Sequence, residues 1–240
     1  MQILKFFQFS NAYRYNSDSL LLSAFVLEDK LNQKTLLDVG AGCGIIGILL
    51  KSFNTNLKLS LLELQKENIM LIQENLKQNN FEAEILHKDF KEFKEFKSEK
   101  RFDCIVCNPP FYRQEAQKST NLHKSMSKSA SFLPLEDLIR GVNSLLAPRG
   151  VFYFCYEALA LSEICVILEK YKLKMTKIRF IHSKKGVKAR LILVKVAKSA
   201  KSLCEISSPL FVYEEGILSK EMRELNTKFR IESYDFKRGF

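Results

Sequence analysis

Five strand-length apolar runs alternate with helix-length runs over residues 35–171, and then two apolar runs follow with only a few residues between them. The spacing predicts strands at Thr35–Val39, Leu57–Glu63, Ala83–His87, Phe102–Cys107 and Gly150–Cys155. Between and after them it predicts helices at Ile45–Phe53, Lys66–Asn79, Leu135–Leu146 and Leu159–Tyr171, with a short charged helix at Lys91–Lys100. Ser17-Asp18-Ser19 precedes a further helical run, Leu20–Leu31, as a capping segment would. Strands alternating with helices imply a parallel, doubly wound α/β sheet. The last two runs, Met175–Ile181 and Lys188–Val196, are separated by a gap containing Lys184-Lys185-Gly186, too short for a helical crossover, so this pair must be antiparallel. A dinucleotide-binding sheet would instead continue as βαβ. The tail is less regular: a short strand is expected at Pro209–Tyr213 and a helix at Lys220–Leu225 capped by Ser219.

At 240 residues the chain fits a single α/β domain, 1–240. No apolar run approaches the roughly 20 residues of a membrane helix, so no membrane association is expected. The opening Met1-Gln2-Ile3-Leu4-Lys5-Phe6 lacks the basic start and long apolar stretch of an export signal, so a cytoplasmic location is expected. The six cysteines, Cys43, Cys104, Cys107, Cys155, Cys165 and Cys204, lie far apart in mostly apolar surroundings, as buried free thiols do in a reducing compartment. Cys104 and Cys107 form a C-x-x-C, but on a strand this offset points them to opposite faces, and no second ligand pair accompanies them; no metal site is expected. The net charge of +11 is local: residues 170–201 carry twelve Lys or Arg and no acid, which leaves −1 for the rest. Such an excess suits a polyanion, with nucleic acid the first candidate and a solvated lysine-rich surface the plainer alternative.

Leu36-Leu37-Asp38-Val39-Gly40-Ala41-Gly42-Cys43-Gly44 closes the first strand of the alternation and opens a helix. Glycines there allow a tight turn and close approach of a ligand to the backbone, and the helix start offers free N–H groups. Glu63 ends the next strand about 20 residues on, where a carboxylate can accept both hydroxyls of a ribose. Gly42-Cys43-Gly44-Ile45-Ile46-Gly47 also matches the G-x-G-x-x-G dinucleotide fingerprint, so a nicotinamide cofactor competes. Asp38 favours a ligand carrying a cationic amine over a pyrophosphate. Asp89, just after the third strand, would face the same crevice and could accept from an adenine amino group, or it is a solvated loop residue.

Cys107-Asn108-Pro109-Pro110-Phe111 follows the fourth strand and opens at the same edge. Two prolines fix the backbone and remove two N–H donors. The Asn108 side-chain oxygen and the Pro109 carbonyl could then accept both hydrogens of an –NH₂ group and aim its lone pair at an electrophile. Phe111 could stack on a planar substrate. A rigid Pro-Pro turn over a buried Phe is the structural alternative.

Taken with these motifs, the chain resembles the class I, Rossmann-like methyltransferases, with a seven-stranded sheet. Within them it is similar to the bacterial tRNA(Val) adenine-N6-methyltransferase family, which modifies the adenosine 3′ of the anticodon. The resemblance implies S-adenosyl-L-methionine as cofactor, held by Asp38, Gly40, Ala41, Gly42, Gly44, Glu63, Asp89 and Asn108, with Asn108, Pro109, Pro110 and Phe111 catalytic. Phe9–Leu22, including Asp18, resembles the segment that folds over the cofactor in that family; Lys185–Arg190 resembles its final hairpin and Glu214–Leu225 its C-terminal end. It implies residues 1–34 as a cofactor-covering segment, 35–198 as the core and 199–240 as an extension. RNA, most of all tRNA, is then the expected partner of the Lys170–Lys201 region, and a monomer is expected. The polar loop Tyr112–Ser131, with His123 and Lys124, would close over the target. Related enzymes with the same motif methylate guanine N2 in ribosomal RNA or glutamine N5 in proteins, and these stay open, as does the more remote NAD-binding oxidoreductase.

Overall fold

The computed structural model describes residues 3–9, 17–29, 32–95, 101–109 and 133–236. Pro110, Phe111, the Tyr112–Ser131 loop with His123 and Lys124, and the whole of 10–16 lie outside them. In chain order the elements are β1 (Leu4–Gln8), α1 (Ser17–Glu28), β2 (Thr35–Val39), α2 (Ile45–Phe53), β3 (Lys58–Glu63), α3 (Lys66–Gln78) and β4 (Glu84–His87). Then come β5 (Phe102–Cys107), α4 (Leu135–Leu145), β6 (Leu146–Glu157), α5 (Leu161–Lys170), β7 (Leu173–Lys184) and β8 (Ala189–Lys198). The tail adds β9 (Glu205–Ile206), β10 (Leu210–Glu214), β11 (Ile217–Leu218), α6 (Lys220–Phe229) and β12 (Ile231–Asp235). Of the expected Lys91–Lys100 helix, the described part is a 3₁₀ turn, Phe90–Glu95, where the Asp89 carboxylate accepts from the Lys91 N–H at 2.9 Å, and 96–100 lie outside the described residues.

The strands β2, β3 and β5 are buried over nearly their whole length, which is why they read as continuous apolar runs rather than alternating ones. Helices cover both faces. The sheet order is β11-β10-β7-β8-β6-β5-β2-β3-β4, with β9 also on β7. Seven of these strands, β4 to β7 in that order, form the expected Rossmann-like sheet, parallel except for β8, which runs antiparallel to both β6 and β7. The expected seven strands grow to ten because the tail adds β10 parallel to β7, β11 on β10, and β9. Ser219 caps α6, accepting from the Met222 N–H at 3.2 Å.

Besides the two-residue strands β9 and β11, two longer elements escaped the sequence reading. β1 and β12 pair in parallel, Leu4 opposite Ile231 through Gln8 opposite Asp235, and so join the two ends of the chain. The other edge of β1 is held by side chains instead of a strand. Asn79 accepts from the Lys5 N–H and donates to the Lys5 carbonyl; Asn75, one helical turn earlier on α3, does the same for Phe7. Asn75 also donates to the Cys43 carbonyl at 2.9 Å, which ties β1 to the glycine turn. Spacing of four on a helix puts two carboxamides in line, and each reproduces one residue's worth of strand pairing. The cysteine expectation holds for Cys43, Cys104, Cys107 and Cys155, which are buried free thiols, but Cys165 and Cys204 are exposed.

Candidate active site

The parallel strands β2, β3 and β5 all end at one edge of the sheet, and the loops leaving them wall a single cleft of about 1110 Å³, counting the part open to solvent. This is the edge at which open α/β sheets bind ligands. Gly40, Ala41, Gly42, Glu63, Asp89, Asn108 and Pro109 all line it. Gly40 and Gly42 hold φ of 67° and 59°, and a Cβ on either would meet no atom within 4 Å. Their bare backbone therefore faces open space, a cradle that side chains would fill.

Glu63 closes β3 and is 5% exposed. One carboxylate oxygen accepts from the Gly42 N–H and the other from the Gln65 N–H, both at 2.8 Å. Together with a hydrogen bond from the Asn68 side chain, these contacts fix the carboxylate at the cleft wall. Burial raises its pKa, against the backbone N–H groups that favour the charged form.

Asp38 does not line the cleft. It lies behind the glycine turn, 1% exposed, where Oδ2 accepts from the Gly47 N–H at 2.9 Å in the first turn of α2. Its Oδ1 has no hydrogen-bond partner. Burial pushes the carboxyl up to about 7, the Gly47 N–H opposes this, and the Glu63 charge adds to it. Gly44 likewise stands outside the cleft; with φ 82° it starts α2. Asp18 is buried at the start of α1 and pairs with Arg190 of β8, 2.7 Å away, outside the cleft lining.

Asn108 follows β5, directly beyond the register pair Cys107 and Phe154 that sets it against Cys155 of β6. The Cys155 thiol donates to Asn108 Oδ1 at 2.9 Å, and Asn108 Nδ2 donates to Ser19 Oγ at 3.1 Å. The carboxamide is thus pinned at both ends, with its plane and its amide orientation set. Burial raises the Cys155 pKa well above its ordinary value, so the sulfur remains a donor. Ser19 and Gln8 also line the cleft. Neither, nor Cys155, carries a sequence signal, because each reaches the site from an element remote in the chain.

The methyltransferase small domain model matches residues 9–142, more than half of the chain. The chain belongs to this methyltransferase family. Its cofactor is S-adenosylmethionine. Among curated proteins it is 23% identical over 218 residues to the tRNA1(Val) (adenine(37)-N6)-methyltransferase of Phocaeicola vulgatus, covering 91% of each chain. It is 25% identical to the Dyadobacter fermentans protein of the same name, over 88% of this chain and 87% of that one. Among solved structures, a predicted O-methyltransferase from Agrobacterium tumefaciens superposes with a TM-score of 0.66 at 20% identity, covering 91% of this chain and 99% of that one. A 16S rRNA N2 methyltransferase of T. thermophilus, solved with AdoMet and guanosine, superposes with a TM-score of 0.56 at 22% identity, over 79% of this chain and 45% of that one. These neighbours share the Rossmann-like methyltransferase fold.

The donor set suits this cofactor. It combines a buried carboxylate, Glu63, at the cleft wall, bare glycine backbone, and apolar walls from Ile45, Ile46, Leu71 and Phe90, with the Asp38 carboxyl buried behind the turn. The described residues contain no cluster that could hold a metal ion and no helix long and apolar enough to cross a membrane.

The twelve basic residues of 170–201 do not form one face. Lys170 pairs with Glu136, Lys177 with Glu28, Arg179 with Glu28 and Glu221, Arg190 with Asp18, and Lys195 with Asp29. Alternation along β7 and β8 sends neighbours to opposite faces, and carboxylates from α1 and α6 neutralise one of them.

Proposed function

We propose that the protein methylates N6 of an adenosine in RNA, the target being the adenosine 3′ of the anticodon in tRNA(Val). The observation that carries this reading is the pinned Asn108 carboxamide at the mouth of the cofactor cleft, ahead of Pro109. S-adenosylmethionine supplies an activated methyl group on a sulfonium. Asn108 Oδ1, with one lone pair on Cys155, keeps a second for an N–H of the target amine; the Pro109 carbonyl takes the other. Both acceptors stabilise positive charge as it develops on the nitrogen, and an amine that is being alkylated acidifies by itself, so no strong base is needed. Pro110 and Phe111, which lie outside the described residues, belong to the same sequence motif, and the role assigned to Phe111 is to stack on the base. Gly40, Ala41, Gly42, Gly44, Glu63, Asp89, Asp38 and Asp18 serve the cofactor, Asp38 and Gly44 by shaping the turn and its field, and Asp18 by anchoring α1, which carries Ser19.

Relatives bearing the tRNA1(Val) adenine name over nearly the full chain support adenosine as target. Basic residues of the Lys170–Lys201 region hold the RNA, the protein acts as a monomer, and it works in the cytoplasm. A guanine-N2 activity on ribosomal RNA is the second reading, favoured by the superposition on the guanosine complex. The test is incubation of the protein with S-adenosylmethionine and undermodified tRNA, then nucleoside mass spectrometry. N6-methyladenosine that disappears with Asn108→Ala is expected. N2-methylguanosine would move the target to the second reading, and no methylated nucleoside would refute the tRNA assignment.

A further inference from the structure

The same edge of the sheet that carries Asn108 continues past β6 to a surface with a different composition. β8 begins there, since Leu191 lies opposite Glu157 at the end of β6. β7 ends there at Lys184, and β10, parallel to β7, ends beside it with Tyr213 opposite Lys184 and Phe211 opposite His182. A strand period of two puts all four side chains on one face. The His182 and Phe211 rings lie 5.3 Å apart. Tyr213 is 47% exposed, and its ring has no aromatic partner among the described residues. Beyond it the β7–β8 turn is braced. The Val187 N–H donates to the Lys184 carbonyl at 3.2 Å, the His182 Nδ1 contacts the Val187 carbonyl at 2.7 Å, and Gly186 takes the positive φ of 79° that the turn requires. Lys184, Lys185 and Lys188 are exposed on this turn and form no ion pair among the described residues, unlike the five basic residues engaged with carboxylates. Glu214 alternates to the opposite face, and Glu215 sits in the next turn with φ 51°.

We propose that this face of β7 and β10 is a platform for single-stranded RNA beside the methylated base. Tyr213 stacks on a neighbouring base, and Lys184, Lys185 and Lys188 hold the phosphates on either side of it. Alternating rings and cations on a braced surface match what a single strand offers, since every base has a π-face and every linkage a negative charge. At about 4.8 Å per strand, β8, β7 and β10 lie about 10, 14 and 19 Å from β5, a span that a short unpaired segment crosses. The proposal rests on the RNA reading of the active site.

The test uses the full chain and an unmodified tRNA(Val) transcript, with binding followed by fluorescence anisotropy across a salt series. S-adenosylmethionine affinity serves as the control for folding. Tyr213→Ala is expected to weaken RNA binding roughly 5- to 100-fold while Tyr213→Phe keeps it. The triple change of Lys184, Lys185 and Lys188 to Gln is expected to lower the slope of log K against log salt by about 2, at roughly 0.7 per lost phosphate contact. Cofactor affinity should not move in any of them. Tight wild-type RNA binding that none of these variants alters would overturn the platform and leave the RNA reading standing. A wild-type protein that binds cofactor but no RNA at any salt would overturn both.

Discussion

Asp38→Asn isolates the electrostatic contribution of a buried carboxyl that never touches the cleft surface. The variant keeps an oxygen for the Gly47 N–H, now accepted at 2.9 Å by Oδ2, and removes only the charge. In the ligand-free protein burial holds the Asp38 pKa at about 7, against 3.8 for the free side chain. A raised carboxyl stabilises the fold below pH 3.8 and loses that contribution as pH rises through 7. At 1.36 kcal/mol per pH unit, the rise amounts to about 4 kcal/mol of strain on the ionised form. A cationic ligand near the unpartnered Oδ1 favours ionisation, so cofactor binding must expel a proton below pH 7. Affinity for S-adenosylmethionine is therefore expected to rise with pH, up to about 100-fold between pH 5 and pH 7, and to level off above. Calorimetry in buffers of different ionisation enthalpy would read both the affinity and the proton release. In Asp38→Asn the proton release should vanish and the pH slope flatten, with any titration of the cofactor itself common to both proteins. The ligand-free variant should also melt higher than the wild type at pH 8, by a smaller margin at pH 5 (about 1.6 kcal/mol against about 4), and equally only below pH 3.8. A wild-type affinity that is flat from pH 5 to pH 8, or a slope that survives in the variant, would refute the reasoning.

Contacts around the cleft and β1 set expected outcomes at four further residues, Ser19, Cys155, Glu63 and Asn75. Ser19→Ala and Cys155→Ala each free one end of the Asn108 carboxamide; single-turnover methyl transfer should slow about fivefold for a bond of about 1 kcal/mol, with cofactor affinity much less affected and Cys155→Ser close to wild type. Glu63→Gln sets an NH₂ against a backbone N–H and removes the charged acceptor, so S-adenosylhomocysteine should bind roughly 10- to 100-fold more weakly by calorimetry. Asn75→Leu strands the Phe7 N–H and two carbonyls, and urea unfolding should show a loss of about 2–4 kcal/mol together with faster hydrogen exchange in β1; a loss below 0.5 kcal/mol would mean that β12 alone holds β1 in place.

How far the sequence could be read depended on whether a contact was local. β2, α2 and β5 have the bounds their patterns predict, because apolar runs punctuated by Gly-x-Gly or Asn-Pro leave few alternatives. The antiparallel β7–β8 pair followed from chain length alone. β1 and β12 were illegible because Leu4 meets Ile231 across the whole chain and no turn residue marks the meeting. Their real signal, Asn75 inside an otherwise amphipathic helix and Asn79 just past its end, is visible only once it is known that both are buried. The same limit hid Ser19 and Cys155, which lie 89 and 47 positions from Asn108. The charge count over the basic window could not tell which of its residues are paired. Charge summed along a strand ignores which face each residue takes, and Glu28, Asp29 and Glu221 arrive from segments that a linear reading cannot place beside Lys177, Arg179 and Lys195.

Strand order then constrains how the proposed reaction can be laid out. Read along the edge from β3 through β2, β5, β6 and β8 to β7, the chemistry runs from a diol-binding carboxylate to bare glycine backbone, to a pinned acceptor, and on to unpaired lysines. Neighbouring strands lie about 4.8 Å apart, so each function is fixed relative to the next by the hydrogen-bonded ladder rather than by loop conformation. The link between acceptor and basic hairpin is more specific than adjacency. Arg190 at the root of the hairpin holds Asp18, and the next residue, Ser19, holds Asn108. Pulling on that hairpin should therefore reach the acceptor through three side chains and one peptide bond. Arg190→Met should slow methyl transfer by loosening Asn108 even on a free adenosine substrate that is too small to touch the hairpin, and an unchanged rate on that substrate would show that the hairpin acts through RNA contact alone.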